Sequence, residues 1–276
     1  MKAVGVLKKS VLWIITAIFA LFIIFPFWYM LAMSVTPDSD ILSNNIRLIP
    51  SSLYFGNIVK VLTQTRLPQQ FLNTVFVAFS ILVLQVLTSL LAAFAFAFLK
   101  FKGKKALFLV CLATMMMPGE TTIISNYLNV SSWHWLDTYQ VLIIPFAASA
   151  LGIFLFRQYF LTMAKEIREA AMIDGCSDAR FLWRIATPLA KPMIAAFSVT
   201  SFISSWGMYM WPLLVTSKDE MRVVQVGINS LQDADSALSL GLALASVMLV
   251  TLPSLLVFLF GHRQLVEGMM SGAVKG

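Results

Sequence analysis

Charge is what this sequence has least of. Asp, Glu, Lys and Arg make up 12% of its 276 residues, against 59% hydrophobic, whereas a soluble domain carries roughly 25% charged residues. That scarcity excludes an ordinary water-soluble globule, because so much apolar surface needs lipid as its solvent. Cysteine is scarce as well. Cys111 lies in an apolar run and Cys176 in a charged stretch, which argues against a disulfide, and no spacing fits a metal site. His134 and His262 stand alone and read as interfacial or loop residues. No G-x-x-x-x-G-K-[ST] sequence is present, so ATP hydrolysis by this chain is excluded. There is no fixed-period repeat, no low-complexity tract, and no Lys or Arg deep in an apolar run. The net charge of +7 reads as basic residues gathered in cytoplasmic loops, not as a nucleic-acid surface.

What is present is a set of long hydrophobic runs. A spanning helix needs roughly 20 mostly apolar residues, and six such spans are predicted, at 11–35, 71–99, 106–124, 139–156, 193–215 and 238–260. The fold class is therefore an all-α membrane protein with one transmembrane domain over residues 1–276. The first run follows Lys2, Lys8 and Lys9, is long, and ends in WYMLAMSV, so a retained span is expected in place of a cleaved signal peptide. Of the 20 basic residues, all but Arg47, Lys60, Arg66, Lys218 and Arg222 fall on one side of these spans. The asymmetry predicts cytoplasmic termini and a cytoplasmic loop at 157–192. On the other side, a short interfacial helix is expected within NNIRLIPSSLYFGNIVKVL, Trp133 and Trp135 suit the headgroup belt, and residues 217–237 are expected to be partly helical. Pro145 and Pro253 are expected to bend helices.

One stretch of the cytoplasmic loop breaks the apolar pattern: EIREAAMIDGCSDARFLWRIATPLAKP, residues 166–192. Residues 164–174 are good helix formers, and Gly175 follows where a left-handed cap is wanted. Ser177 and Asp178 offer cap oxygens to a second helix running to about Ala186, with Phe181 and Ile185 on one face, and Pro188 is expected to stop it. Small residues at Ala170 and Ala171 would let a partner approach. Physics alone allows equally an amphipathic loop that keeps the spans apart. In the fifth span Ser198, Ser201, Ser205 and Tyr209 recur at offsets of three and four, which predicts one polar face. Such hydroxyls line a path for a polyol or pack helices together. Glu120, beside Pro118 at the outer end of the third span, reads as a solvated gate residue.

Glu169-Ala170-Ala171, Gly175, Ile185 and Pro188 resemble in residue and spacing the EAA motif of ABC-importer permeases, with Thr187 where Leu is usual. Asn73-Thr74, MMPGETTIISNY, LFRQYF and GMMSGAVKG are similar to the carbohydrate-type permeases, in particular the maltose and glycerol-3-phosphate branches. The sequence departs from them after Trp206, where Gly207-Met208-Tyr209-Met210-Trp211-Pro212 stands in place of a frequent Asn-Glu-Tyr-Leu-Trp-Pro. The resemblance implies a six-helix, type I ABC-importer permease in the bacterial inner membrane. It implies an ATPase-coupling role for Glu169, Ala170, Ala171, Asp174, Gly175, Ile185 and Pro188, and a tail that reaches into the ATPase dimer. Ser201, Ser205, Tyr209 and Glu120 become candidates for the substrate path. The implied partners are a second permease subunit, two ATPase subunits that bind ATP and Mg, an extracellular or periplasmic substrate-binding protein, and membrane lipid. No nucleic acid is expected, and no catalytic, cofactor or metal site in this chain. The implied cargo is a sugar or related polyol, the alternative being glycerol-3-phosphate or a glycerophosphodiester. A different class, the ion-coupled secondary transporter, calls for mid-membrane ionisable residues and often inverted repeats. A membrane enzyme calls for a converging nucleophile, base or metal set. The sequence offers none of these.

Overall fold

Long apolar runs in a chain poor in internal Gly and Pro favour helices, since in lipid the backbone must satisfy its own hydrogen bonds. The computed structural model describes residues 2–41, 48–50, 52–233 and 240–273, and among these every regular element is helical. In chain order the principal helices are α1 (Lys2–Ser34), α2 (Gly56–Gln64), α3 (Leu67–Phe98), α4 (Lys104–Thr114), α5 (Ile123–Ser132), α6 (Ala150–Thr162), α7 (Lys165–Ile173), α8 (Asp178–Phe181), α9 (Lys191–Trp206), α10 (Met210–Val215), α11 (Val224–Asp233) and α12 (Leu240–Ala273). The short helix expected before the second span appears as α2, and the partly helical segment expected at 217–237 contains α11. The remainder of both segments, at 42–47, Ser51 and 234–239, lies outside the described residues, as do Arg47 and residues 274–276 of the tail.

The six predicted spans are not six unbroken helices. Among the described residues three are continuous and long enough to cross a membrane, in α1, α3 and α12, and the number reaches five only if each bent pair of helices counts as one. The third predicted span fails at Pro118. Three successive i→i−3 bonds, Met115 to Leu112, Met116 to Ala113 and Met117 to Thr114, tighten the backbone after α4. Proline then withholds an N–H and disfavours helix at Met117. At about 1.5 Å per residue, α4 is roughly half the length of a bilayer core. The fourth predicted span is a helical turn Tyr139–Ile143, a 3-10 turn Ile144–Phe146 containing Pro145, and then α6, the two arms bent by 40°. The fifth ends its long helix at Trp206 and resumes as α10.

The chain divides into two compact units, Met1–Pro68 with Gly227–Leu252, and Gln69–Val226 with Pro253–Gly276. In the first, Asn57 is fully buried and donates from Nδ2 to the Thr36 carbonyl at 2.9 Å, while the Gly241 N–H donates to Asp38 Oδ1 at 3.0 Å. A side chain at Gly241 would collide with both the Asn57 amide and the Asp38 carboxylate, so glycine is required for that close approach. The central window of α1 buries nothing inside the chain, the surface of a helix solvated by lipid or by another subunit.

The second unit builds two apolar cores along α3. One gathers Val77 and Ile81 with Val130, Val141, Leu142, Trp211 and Val215. The other gathers Leu90, Ala93 and Phe94 with Phe156 and Phe160 of α6, Phe181, Leu182 and Ala186, and Met193 and Phe197 of α9. Gly152 admits α6 to this packing, because a Cβ there would strike Ser89 Oγ and the Phe197 ring. Gly261 and Gly268 on α12 likewise meet Val199 and Ala196 of α9, the small-residue contact typical of helices packing in lipid.

Candidate functional site

The charged stretch folds as a rigid knuckle. Helix α7 ends in a Schellman turn: the Cys176 N–H donates to the Ala171 carbonyl at 2.9 Å and the Gly175 N–H to the Met172 carbonyl at 3.1 Å. Gly175 has φ +72°, the left-handed value the sequence predicts, and a residue with a Cβ would be strained there. The Ser177 side chain then accepts from the Arg180 N–H and opens α8, again as the sequence predicts. Pro188 does not stop the helix. The backbone widens into a π-helical stretch, Leu182–Ala186, in which the Thr187 N–H reaches the Leu182 carbonyl. Pro188 sits in the following turn, Thr187–Leu189, because the widened backbone accommodates its ring. The chain bends 77° between Asp178–Leu189 and α9, and the Tyr159 hydroxyl braces the corner by donating to the Leu189 carbonyl at 2.6 Å.

Within the knuckle, Glu169, Ala170, Asp174, Gly175 and Pro188 are exposed, and Ile185 is half-buried against the core. Ala171 is only 7% exposed and belongs to that core. Its small size therefore serves internal packing, and of the alanine pair only Ala170 is open to a partner. The outward apolar surface comes from Met172 and Ile173, the latter 86% exposed, which sequence reasoning passed over. It also passed over Arg168. That guanidinium donates from Nη1 to the Phe98 carbonyl at 2.8 Å, pairs through Nη2 with Asp178 at 3.1 Å, and lies over the Phe98 ring. It ties the start of α8 and the knuckle to the end of α3. The signal available beforehand was an Arg and an Asp flanking a glycine cap.

A second site lies at the break in the fourth span. The carbonyls of Phe146 and Ala147 lack helical partners there, and side chains of α3 reach them and the Ser149 carbonyl, which also accepts from the Ile153 N–H at 3.0 Å. Gln85 Nε2 donates to Phe146 at 2.9 Å, Thr88 Oγ1 to Ala147 at 2.8 Å and Ser89 Oγ to Ser149 at 3.3 Å. These three occupy one face of α3 at helical spacing. Beside them opens a cavity of about 180 Å3 lined by Gln85, Ser149, Leu151, Phe197, Thr200, Ser201, Ser204 and Ser205. Ser201 Oγ donates to Gln85 Oε1 at 2.8 Å. The predicted polar face thus holds for Ser201 and Ser205. It does not hold for Tyr209, which lies past the end of α9 and packs against the core of Val141, Leu142 and Trp211, nor does Ser198 line the cavity. Thr200, Ser204 and Gln85 replace them. The backbone of Glu120 lies in the 3-10 turn Gly119–Thr122, and its side chain falls outside the described part of the structure.

Residues 85–266 match the family described as binding-protein-dependent transport system inner membrane component. The chain is 30% identical over 270 residues to the arabinooligosaccharides transport system permease protein AraQ of Halalkalibacterium halodurans, covering 96% of each chain. It is 32% identical over 257 residues to the sn-glycerol-3-phosphate transport system permease protein UgpE of Yersinia pestis bv. Antiqua, covering 91% of this chain and 92% of that one. The fold also matches, with a TM-score of 0.85 at 23% identity, over 93% of this chain and 96% of the other, a chain from the crystal structure of a bacterial ABC transporter involved in the import of the acidic polysaccharide alginate. The family match takes in both the knuckle and the cavity, and the protein belongs to the inner membrane components of binding-protein-dependent transport systems.

Proposed function

We propose that this chain, a multi-pass permease subunit of an ABC importer by its family, conducts a neutral sugar or related polyol through the cavity between α3, α6 and α9. The observation that carries the cargo assignment is the lining itself: an amide, hydroxyls and apolar side chains, with no charged group. Hydroxyls and amides both donate and accept, which suits a polyhydroxylated ligand, whereas an anion calls for a cationic partner. The arabinooligosaccharide relative supports this reading, and the glycerol-3-phosphate relative favours the second one. Uptake into proteoliposomes of the assembled transporter separates them. Competition by neutral oligosaccharides and none by glycerol-3-phosphate is expected, and the reverse pattern would overturn the neutral-cargo reading.

In this reading the chain has the type I architecture, with six crossings in which the broken helices supply the shorter ones. It works beside a second permease subunit and two ATPase subunits, which hold ATP and Mg, and receives cargo from an external binding protein. Both termini and the knuckle face the cytoplasm, a placement the basic-residue asymmetry supports. A reporter that matures only outside the membrane, fused after Gly276, should stay inactive; activity there would reverse the orientation.

The knuckle is the contact to the ATPase. Met172 and Ile173 offer apolar surface, Glu169 an exposed charge, and the Schellman turn a fixed angle between them. Glu169→Lys reverses the charge on an exposed residue of α7 and leaves the spans untouched. The variant should insert normally, yet ATPase co-purification should fall about fivefold or more, in line with placing like charge at an interface. Wild-type recovery of the ATPase subunit would remove Glu169 from the contact.

A further inference from the structure

The turn between α3 and α4 carries more positive charge than the chain itself balances. Four consecutive carbonyls at the end of α3 receive three cations. Arg157 Nε donates to Phe96 at 3.2 Å, Lys104 Nζ to Ala97 and Leu99 at 3.2 and 2.9 Å, and Arg168 Nη1 to Phe98 at 2.8 Å. A helix C-terminus presents about half a negative charge. Among the described residues the one carboxylate paired with these cations is Asp178, on Arg168. Arg157 instead stacks over the Phe108 ring at 4.1 Å. The Lys104 ammonium is pushed below its ordinary pKa by burial and then by Arg157 and Arg168, as a group crowded by like charge should be.

Three more lysines share the turn. Lys100, Lys102 and Lys105 are exposed and, among the described residues, form no ion pair. A hollow of about 550 Å3 opens here, lined by Leu99, Lys100, Phe101, Gly103, Lys104 and Lys105. Phe101 is 40% exposed at its rim, and Leu107, Leu109 and Val110 lie exposed on the apolar helix that leaves it. A cationic hollow therefore adjoins a strip of open hydrocarbon-like surface at the end of a membrane helix. An acidic protein surface would satisfy the lysines alone. A phospholipid satisfies both, with phosphate at the lysines and an acyl chain along α4.

We propose that the turn at residues 99–106 binds the phosphate of an anionic phospholipid. The test uses the full chain purified in a zwitterionic detergent, with bound lipid counted by native mass spectrometry as phosphatidylglycerol, phosphatidylcholine or inorganic phosphate is titrated in. Both lipids reach the site from detergent, so the result does not depend on the orientation or cargo proposed above. Wild-type chain should prefer phosphatidylglycerol by about tenfold or more, and the triple variant Lys100→Gln, Lys102→Gln, Lys105→Gln should lose most of that preference. This variant spares Lys104 and Arg157, which cap α3. A control carrying Lys60→Gln and Lys218→Gln should behave as wild type. Equal retention of the two lipids by wild type, or an undiminished preference in the triple variant, would overturn the proposal. So would displacement of the lipid by an equal concentration of inorganic phosphate, which would mark a free-anion site. Loss of ATPase co-purification in the triple variant with its lipid preference intact would assign the turn to a protein partner and equally overturn it.

Discussion

Replacing Gly175 with valine is expected to abolish substrate uptake while leaving membrane insertion intact. Gly175 holds φ +72°, and nothing lies within 4 Å of where its Cβ would be. The penalty is therefore conformational and not steric crowding. A β-branched residue in the left-handed region costs roughly 1–2 kcal/mol. Helix α7 has nine residues, too few to hold its shape by helix propensity alone. The strain is relieved by letting the turn open, which breaks the bonds from Cys176 to Ala171 and from Gly175 to Met172 and re-aims Met172 and Ile173. No transmembrane helix is touched. Transport in proteoliposomes should fall to near background, with either weaker ATPase recovery or hydrolysis no longer stimulated by the binding protein. Gly175→Asn is the informative companion, because asparagine tolerates the left-handed region and should retain most of the activity. Full uptake by the valine variant would make the knuckle a mere connector.

Filling the cavity is expected to have an effect of similar size. Ser201 and Ser205 are buried in its wall, and leucine at both positions would occupy much of the roughly 180 Å3 they border while removing the hydroxyl that donates to Gln85. Overpacking of a buried site costs about 1–3 kcal/mol, so expression should persist while uptake drops about tenfold or more. Ser201→Ala separates volume from polarity. It leaves the space open and removes one intramembrane hydrogen bond, worth about 0.6 kcal/mol on average, so a modest change in uptake is expected. Unchanged uptake kinetics with leucine at both positions would take this cavity off the substrate path.

The sequence made α1, α3 and α12 legible because their apolar runs are long and a window average sees them whole. The same average hid the breaks at 147–149 and 207–209, where a few residues leave the helix without changing mean hydropathy. The break in the fourth span becomes tolerable only because Gln85, Thr88 and Ser89 meet its carbonyls from some 60 positions away in the chain, a pairing that no local pattern reveals. The knuckle was readable for the opposite reason. Its cap, turn and following N-cap are local chemistry, so Gly175 and Ser177 stand where the pattern put them. Orientation within it was not readable. Ala171 turns inward to the core that holds Phe94, Phe160 and Phe181, and Arg168 points to the end of α3, a contact between segments 70 residues apart.

The π-helical stretch at Leu182–Ala186 makes this connection respond unequally to gain and loss of length. Each π turn holds one residue more than an α turn, so removing a single residue would let the backbone relax into an ordinary helix with the segments on either side still facing as they do, whereas adding one would rotate everything before it by about 100° relative to α9. With such an insertion Phe181, now seated in the core, would swing out of it and Leu182 would take its place. Surface connections usually absorb insertions and deletions freely. This one behaves as a gear with one tooth to spare: a residue can be lost from it without changing which side of the knuckle meshes, but one cannot be gained.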